Sequence, residues 1–599
     1  MVPHGKVLFS RGEDEAAVVQ AKGAGSGVPV EITDAERDAV TFTAYALDVH
    51  LVPARSEMTV RARMTVRNDG ALPLKRIALQ VSSGLLWESL AEVSGRGLEA
   101  GKLAQHRIDT DADHTGAATE AVVSFKTPLA VGASLDLVGI YGGKLAQSGE
   151  RLQRIGAPAE AAEAADWDQV SAEEVALRGY GDVLWYPVAG APVFLGEGVK
   201  LFQAAGRTKL RQQTARVRLR LEMEYVGEAP QTAYFCGRKQ GLNAVSENQN
   251  VPVAESPGVA TAEWSEETLG FRVPSLFVTE RAAMPVAGGL VEAVSEREDA
   301  VEEYGQAARL ASPMLQEWLG REPMRALTVL DHPGQPFEDK AFLVTPMRAA
   351  DPTALAPTLV HTLSHAYFRS PQVWLDEGVA QFMSLLWVEK AQGRGAALSR
   401  MEEDDRALAL IEPGAGSQGG ESLVEASDEV YYRTKAAAVL WMLRDIVGDP
   451  AMKSALAEYR KSGNGDRGFQ RLLEARANRS LAWFFDDWVY KDKGLPDLSI
   501  VTVNPHEMPE VNGRAAGWLV AVEVRNEGDA VAEVPVTVRA GSMSGDLIKT
   551  ERLRVAGRST ASTRIVFEGT PEEVLVNDGT VPEVGGGEHR RKIVPGKPQ

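Results

Sequence analysis

The chain has 599 residues, of which 44% are hydrophobic and 25% are charged, and its formal net charge is −19. Such a length and composition are typical of a globular protein with enough apolar residues for roughly four domain-sized cores. The negative charge argues against nucleic acid or an anionic membrane as a partner, because both require a cationic face.

Cysteine content and targeting signals say little about where the protein resides. The single cysteine, Cys236, rules out a disulfide within the chain. No apolar run reaches the length of about 18 residues that a membrane span requires, so we expect no transmembrane helix. The first residues lack a basic flank followed by a long apolar run, so we also expect no signal peptide in this chain. The compartment stays open, and an exported mature form is compatible with the sequence.

The first part of the chain alternates between apolar and polar residues. A Gly- and Ala-rich segment over residues 1–30 predicts a flexible arm. After it, "YALDVHLVP" and "MTVRARMTVRND" place apolar residues at every second position, and "SLDLVGIYGG" and "ARVRLRLEMEYVG" continue the pattern. A period of two is typical of strands. We therefore predict a large N-terminal β domain over residues 31–282.

The apolar spacing changes near residue 290. "AVEEYGQAARLASPMLQEWLG" has apolar residues three and four apart, which predicts a helix, whereas "RALTVLDH" predicts a strand. The next helix is expected to begin with Asp351 as its N-cap and Pro352 at its first position. Further helices are predicted from about Trp374 to Ala391 and in "YYRTKAAAVLWMLRDIVGD" and "SLAWFFDDWVY". The interpretation is a mainly helical domain over residues 283–496.

Alternation returns after "KDKGLPD". "GWLVAVEVRNEG" and "EVPVTVRAG" predict strands of a C-terminal β-sandwich over residues 497–582, followed by a tail over residues 583–599. The whole chain is therefore predicted to have an α+β multidomain fold.

The segment "LVHTLSHAYFRSPQVWLDEGVAQFM" carries the residues that indicate chemistry. His361 and His365 lie one turn apart on the predicted helix, so both imidazoles can face one ion. Glu377 follows in the next predicted helix, and a short connection between antiparallel helices can bring it beside the histidines. Two imidazoles and a carboxylate leave the fourth position of a tetrahedral zinc ion for water, the arrangement of catalytic sites. The alternative is that the two histidines are ordinary packed or solvated residues.

This segment resembles the gluzincin metallopeptidases, in particular the aminopeptidase N family. There a His-Glu-x-x-His helix is followed by "WL-x-EG-x-A", and His361, His365 and Glu377 match the three zinc ligands of that pattern. The later segments "RTKAAAVLWML" and "FFDDWVYKDKGLP" are also similar to family motifs. The resemblance covers about residues 40–496. It implies one bound zinc ion, a gluzincin-like (thermolysin-like) helical domain and a peptide or protein ligand.

Two positions depart from the family pattern. Thr362 stands where the family has its catalytic glutamate, and a threonine hydroxyl cannot accept a proton near neutral pH. Losing a positioned general base typically costs about 10²- to 10⁴-fold in rate. The family's transition-state tyrosine aligns with Arg433, and Tyr432 is one position away, which is a rotation of roughly 100° on a helix. Arg433 can stabilise an oxyanion by its charge or lie on the surface.

Three hypotheses follow from these residues. The favoured one is an aminopeptidase-N-like protein that retains zinc, has weak or lost peptidase activity, and serves as a peptide-binding protein or scaffold. The second is an active zinc metallopeptidase with a nonstandard general base such as Asp376 or Glu338. The third is a metal-free structural β-rich protein. Catalysis, substrate specificity, pathway and oligomeric state are left open by the sequence.

Overall fold

The computed structural model describes residues 32–93, 98–246, 256–412, 420–462, 465, 467–510, 516–541, 547–585 and 589–593. The chain divides into two compact units. The N-terminal unit runs to Gly305 and includes Ala326–Ala350, and the C-terminal unit comprises Gln306–Arg325 and everything from Asp351 onwards. The predicted arm lies outside the described residues, as do parts of the predicted tail.

The N-terminal unit is built mainly of strands, as the alternating sequence predicts. Its elements in chain order are α1 (Asp34–Asp38), β1 (Val40–Val52), β2 (Glu57–Asn68), β3 (Leu74–Ser82), β4 (Leu85–Glu92), β5 (Leu98–Asp109), β6 (Ala117–Leu129), β7 (Ser134–Lys144), α2 (Glu150–Arg154), α3 (Ala159–Ala165), β8 (Gln169–Val170), β9 (Val175–Leu177), α4 (Lys200–Gln212), β10 (Arg216–Val226), β11 (Thr232–Phe235), β12 (Arg238–Gly241), β13 (Asn243–Ser246), β14 (Pro257–Thr268), β15 (Leu276–Thr279), β16 (Met284–Val286) and β17 (Val291–Val294). Helix α5 (Glu298–Leu319) begins in this unit and ends in the other, and β18 (Leu327–Asp331), β19 (Phe337–Glu338) and β20 (Phe342–Thr345) complete it.

The strands of this unit form four sheets among the described residues. Their orders are β13-β14-β10-β1-β2-β7-β4, β3-β6-β5, β12-β11-β15-β9-β8 and β16-β17-β18-β20-β19. Period-two alternation explains the first of them, because Tyr45, Leu47, Val49 and Leu51 of β1 are all buried while the residues between them are less so.

The last sheet of the N-terminal unit contains parallel strands. Strands β17, β18 and β20 are parallel neighbours, and parallel strands need a crossover connection. Helix α5 supplies it between β17 and β18. The predicted helix in "AVEEYGQAARLASPMLQEWLG" and the strand in "RALTVLDH" are thus both confirmed.

The first part of the C-terminal unit is mainly helical. Its helices are α6 (Pro352–Tyr367), α7 (Val373–Gln392), α8 (Arg394–Ile411), α9 (Ala436–Val447), α10 (Asp449–Ser462), α11 (Gly468–Ala477) and α12 (Ala482–Phe485). Two π-helical segments, Val430–Lys435 and Asp486–Tyr490, precede α9 and follow α12. Helix α6 starts as predicted, because the Asp351 side chain accepts a hydrogen bond from the Thr353 amide and Pro352 occupies the first turn.

Strands return at the end of the chain. They are β21 (Leu498–Met508), β22 (Gly517–Asn526), β23 (Ala532–Ala540), β24 (Leu547–Val555), β25 (Ser559–Phe567), β26 (Glu573–Val576) and β27 (His589–Lys592). They form one sheet in the order β21-β22-β25 and another in the order β24-β23-β26-β27. The predicted α+β multidomain fold is confirmed. The four predicted domain boundaries and the assignment of these last sheets as a sandwich stay predictions.

Candidate metal centre

Helix α6 presents two imidazoles on one face. His361 and His365 are one turn apart, with ring centroids separated by 5.4 Å and ring planes at 73°. The His365 side chain is only 2% exposed and that of His361 is 15% exposed. The pair is therefore held inside the helical unit, with His361 nearer to solvent.

Helix α7 brings a carboxylate to this pair. Only five residues separate α6 from α7, so the two helices are adjacent and Glu377 reaches back towards the histidines. Its Oε2 lies 3.6 Å from His361 Nε2, and its Oε1 lies 3.8 Å from His365 Nε2. The structure thus brings together the three residues that the sequence predicts as zinc ligands.

A second carboxylate faces the other nitrogen of the inner histidine. Asp376 Oδ2 lies 3.8 Å from His365 Nδ1, and Asp376 Oδ1 accepts a hydrogen bond of 2.8 Å from the Ser370 amide. His365, Asp376 and Glu377 offer ligand atoms within 4.8 Å of one another. One ion cannot use both nitrogens of an imidazole, because the two lone pairs diverge. Asp376 therefore faces the ring nitrogen of His365 opposite to the one that Glu377 faces. In that position a carboxylate can orient the imidazole rather than bind the same ion.

The donor set fits zinc. Two neutral imidazoles and one carboxylate are ligands that zinc prefers, with bonds of about 2.0–2.1 Å, which place tetrahedral ligand atoms about 3.3 Å apart. The separations of 3.6 and 3.8 Å between Glu377 and the two Nε2 atoms exceed this by only a few tenths of an ångström. The two separations involve different oxygens of Glu377, so binding one ion through a single oxygen would require the carboxylate to turn.

The glycine after Glu377 fixes how closely α7 packs against α9. A Cβ at Gly378 would lie 2.7 Å from the Cβ of Ala436, closer than two such atoms can approach. Both residues are buried in the helical core. The glycine and the alanine therefore permit a close helix crossing at the residue that follows Glu377 in the chain.

Thr362 is buried next to the first histidine. It is 2% exposed, and its hydroxyl donates a hydrogen bond of 3.5 Å to the carbonyl of Leu359, one turn back on α6. A hydroxyl that bonds to its own helix satisfies itself locally. The position that holds the general base in the aminopeptidase N pattern thus holds a side chain that cannot take a proton near neutral pH.

Arg433 lies against the carboxylate of the third predicted ligand. Its Nε donates a hydrogen bond of 3.0 Å to Glu377 Oε2, and its Nη1 pairs with Glu429 one turn back. The guanidinium is 31% exposed. Tyr432 is instead buried, and this burial raises its pKa well above the usual range. The sequence placed Arg433 at a catalytic position or on the surface and did not foresee its ion pair with Glu377.

A buried charge cluster lies in the same π-helical segment. Lys435 donates hydrogen bonds to Glu412 and, at 2.9 Å, to Asp492, and the three side chains are at most 3% exposed. The Lys435 ammonium also lies 5.2 Å from the centre of the Tyr431 ring. The sequence gives no signal for this cluster, because nothing in it links Lys435 to acids 23 and 57 residues away.

The charge imbalance of this cluster predicts a pH-dependent stability. Burial raises the pKa of Glu412 to about 7 from 4.5; the Lys435 charge opposes this shift and the Asp492 charge adds to it. Between these two pH values the folded protein holds a proton that the unfolded chain has lost, so the contribution to stability falls as pH rises. We expect Glu412→Gln to remove this pH dependence, which amounts to roughly 1 to 3 kcal/mol in the free energy of unfolding between pH 5 and pH 8.

The measurement is the thermal or denaturant midpoint of both proteins at several pH values. Glu402→Gln is the matched control, because Glu402 lies on α8 but is 62% exposed. Parallel pH profiles for the wild type and Glu412→Gln would show that the Glu412 proton is not linked to folding.

Comparison with solved structures identifies the fold. Aminopeptidase A from Legionella pneumophila, determined in complex with aspartic acid, matches with a TM-score of 0.53 at 11% sequence identity, over 91% of this chain. The chain has the fold of the gluzincin aminopeptidases. It spans 59% of the length of the Legionella chain. The predicted aminopeptidase-N-like architecture is thereby confirmed.

Other solved structures match this chain with lower TM-scores. An M1 zinc metallopeptidase from Deinococcus radiodurans matches with a TM-score of 0.40 at 17% identity, over 73% of this chain and 91% of that one. A mutant of that enzyme was determined with the peptide Tyr-Ser-Ala bound. No protein-family model and no curated protein matches this sequence. In the described part of the chain, no helix is both long and apolar enough to cross a membrane.

Proposed function

We propose that this protein is a zinc-binding member of the aminopeptidase-like metallopeptidases whose peptidase activity is weak or lost, and that it acts by binding peptide or protein ligands. One observation carries the proposal: both oxygens of Glu377 face the Nε2 atoms of His361 and His365, while the residue between those histidines that should supply the base is Thr362. The proposed metal ligands thus come from one turn of α6 and from α7, and the same turn of α6 lacks the expected base.

Each residue has a definite part in this proposal. His361, His365 and Glu377 would hold one zinc ion, and Asp376 would hold His365 in the orientation that turns Nε2 towards it. A bound zinc ion supplies Lewis acidity, which lowers the pKa of a coordinated water to about 7. Thr362 cannot move the proton that peptide cleavage must transfer to the leaving amine, so ligand binding would persist while turnover falls.

The alternative of an active enzyme requires another base. Asp376 is poorly placed for that part, because it lies on the Nδ1 side of His365, is 4% exposed and already accepts the Ser370 amide. Glu338, the last residue of the short strand β19 in the N-terminal unit, is the other candidate for the general base. A metal-free structural protein is the other outcome against which the proposal is tested.

Zinc content is the direct test. We expect the purified protein, after incubation with zinc and removal of the excess, to retain about one ion per chain by elemental analysis. His361→Ala and His365→Ala should reduce this to a small fraction, because each removes one of three ligands. His506→Ala is the matched control, since His506 lies exposed on β21 of the C-terminal sheets.

The outcomes separate the three hypotheses. No zinc in the reconstituted wild type, or equal zinc in the wild type and both ligand variants, would remove the metal from the proposal. Wild-type hydrolysis of aminoacyl and peptide amides at rates of ordinary enzymes, on the order of 10 per second, lost in His365→Ala, would show that an active metallopeptidase is present instead.

A further inference from the structure

The ion pair between Arg433 and Glu377 bears directly on metal binding. The Glu377 carboxylate faces the Nε2 atoms of both histidines, and its side chain is 8% exposed. Arg433 donates to Oε2, the same oxygen that lies nearest to His361. The guanidinium therefore engages an atom that a metal ion would use.

We infer that Arg433 is a built-in competitor for the metal, which lowers the affinity of this site for zinc and stabilises the metal-free protein. The inference rests on the proposed function, because it concerns the same ligands. Its basis is charge: at Glu377 a guanidinium already supplies positive charge that would otherwise come from the ion.

The competition holds whether or not Arg433 moves when zinc binds. If the guanidinium stays at Oε2, a divalent cation must bind within a few ångströms of an existing positive charge in a site of low exposure, where repulsion is weakly screened. If it leaves, it gives up its hydrogen bond to Glu377. In both cases zinc binding carries a free-energy cost, either repulsion from the guanidinium or the lost hydrogen bond, that would be absent without the arginine.

Glu429 gives the arginine a second place to bind. It pairs with Arg433 Nη1 from one turn back in the chain, and its side chain is 53% exposed. Arg433 can therefore keep one carboxylate partner at the surface while the inner one turns to a metal. The two acids make Arg433 a shared cation whose position depends on what Glu377 binds.

The test is zinc affinity measured by competition with a chromophoric chelator, together with the melting temperature in EDTA. Arg433→Gln is expected to bind zinc about 10- to 100-fold more tightly than the wild type. In EDTA the same variant should melt at a lower temperature, because buried Glu377 loses its ion pair. These opposite effects distinguish competition from a general loss of structure.

Controls separate charge from shape. Arg433→Lys keeps the charge and should stay within a few fold of the wild type. Arg406→Gln makes the same change of net charge at a position 75% exposed and should leave the affinity unchanged. Glu429→Gln removes the surface partner, so Arg433 should rely more on Glu377 and zinc should bind several fold more weakly.

The results decide both the inference and the proposal beneath it. Equal or weaker zinc binding by Arg433→Gln, with the wild type binding one ion, would overturn the inference and leave the proposed zinc site standing. Absence of zinc binding by the wild type, Arg433→Gln and Glu429→Gln alike would overturn the proposed function itself. If Arg433→Gln does not fold, weaker zinc binding by Glu429→Gln supports the inference and unchanged binding overturns it.

Discussion

Thr362→Glu is expected to raise the hydrolysis of peptide and aminoacyl amides by about 10²- to 10⁴-fold over the wild type. The reason is that the proposed zinc ligands His361, His365 and Glu377 already lie together, whereas the residue next to His361 offers a hydroxyl bonded to its own helix. A carboxylate at this position would accept a proton and return it to the leaving amine. Initial rates on a chromogenic aminoacyl amide and on a short peptide would measure the gain.

Three further variants make this result interpretable. Thr362→Gln has the same volume as the glutamate variant but no base, and it should not gain activity. Thr358→Glu adds the same charge one turn earlier on α6 at an exposed position, and it should not gain activity either. Adding His365→Ala to Thr362→Glu should abolish the gain. A zinc-loaded Thr362→Glu that is no faster than Thr362→Gln would mean that more than the base is missing.

Lys435→Met is expected to destabilise the protein by about 3 to 5 kcal/mol. The substitution leaves Glu412 and Asp492 buried together without their cation, and at most 3% of either side chain is exposed. Denaturant unfolding of the helical unit, followed by tryptophan fluorescence, would measure the loss. Lys461→Met is the matched control, because Lys461 is exposed at the end of α10.

A compensating variant tests the cause of that loss. If uncompensated charge is responsible, Lys435→Met combined with Glu412→Gln and Asp492→Asn should recover most of the stability. Lys435→Met within about 1 kcal/mol of the wild type would show that the cluster contributes little. Lys435 shares a π-helical segment with Arg433. We therefore expect the zinc affinity of Lys435→Met to differ from that of the wild type.

The helix start and the proximity of the three candidate ligands could be predicted because short-range rules govern them. Asp351 and Pro352 define the first turn of α6 by their own chemistry, and the one-turn spacing of His361 and His365 puts both on one face whatever surrounds them. Glu377 needed one further assumption, a short connection between two helices, and α6 and α7 meet it.

The parts that could not be predicted depend on longer-range geometry. Residues Val430–Lys435 form a π-helical segment, whose wider turn changes the direction in which each side chain leaves the helix axis. Counting at the α-helical 100° per residue therefore gave no reliable position for Arg433, and its pairing with Glu377 appeared only in the structure. The side of His365 that Asp376 occupies likewise depends on the rotation of α7 and not on sequence spacing.

The contact between Gly378 and Ala436 places the glutamate by main-chain geometry. The crossing of α7 and α9 fixes the main chain next to Glu377, whereas position 362 lies on α6 and takes no part in that crossing. We therefore expect substitution at 362 to change reactivity while the main chain beside Glu377 keeps its shape. Under the proposed function, cleavage and capture of a ligand would be separately adjustable properties of this protein.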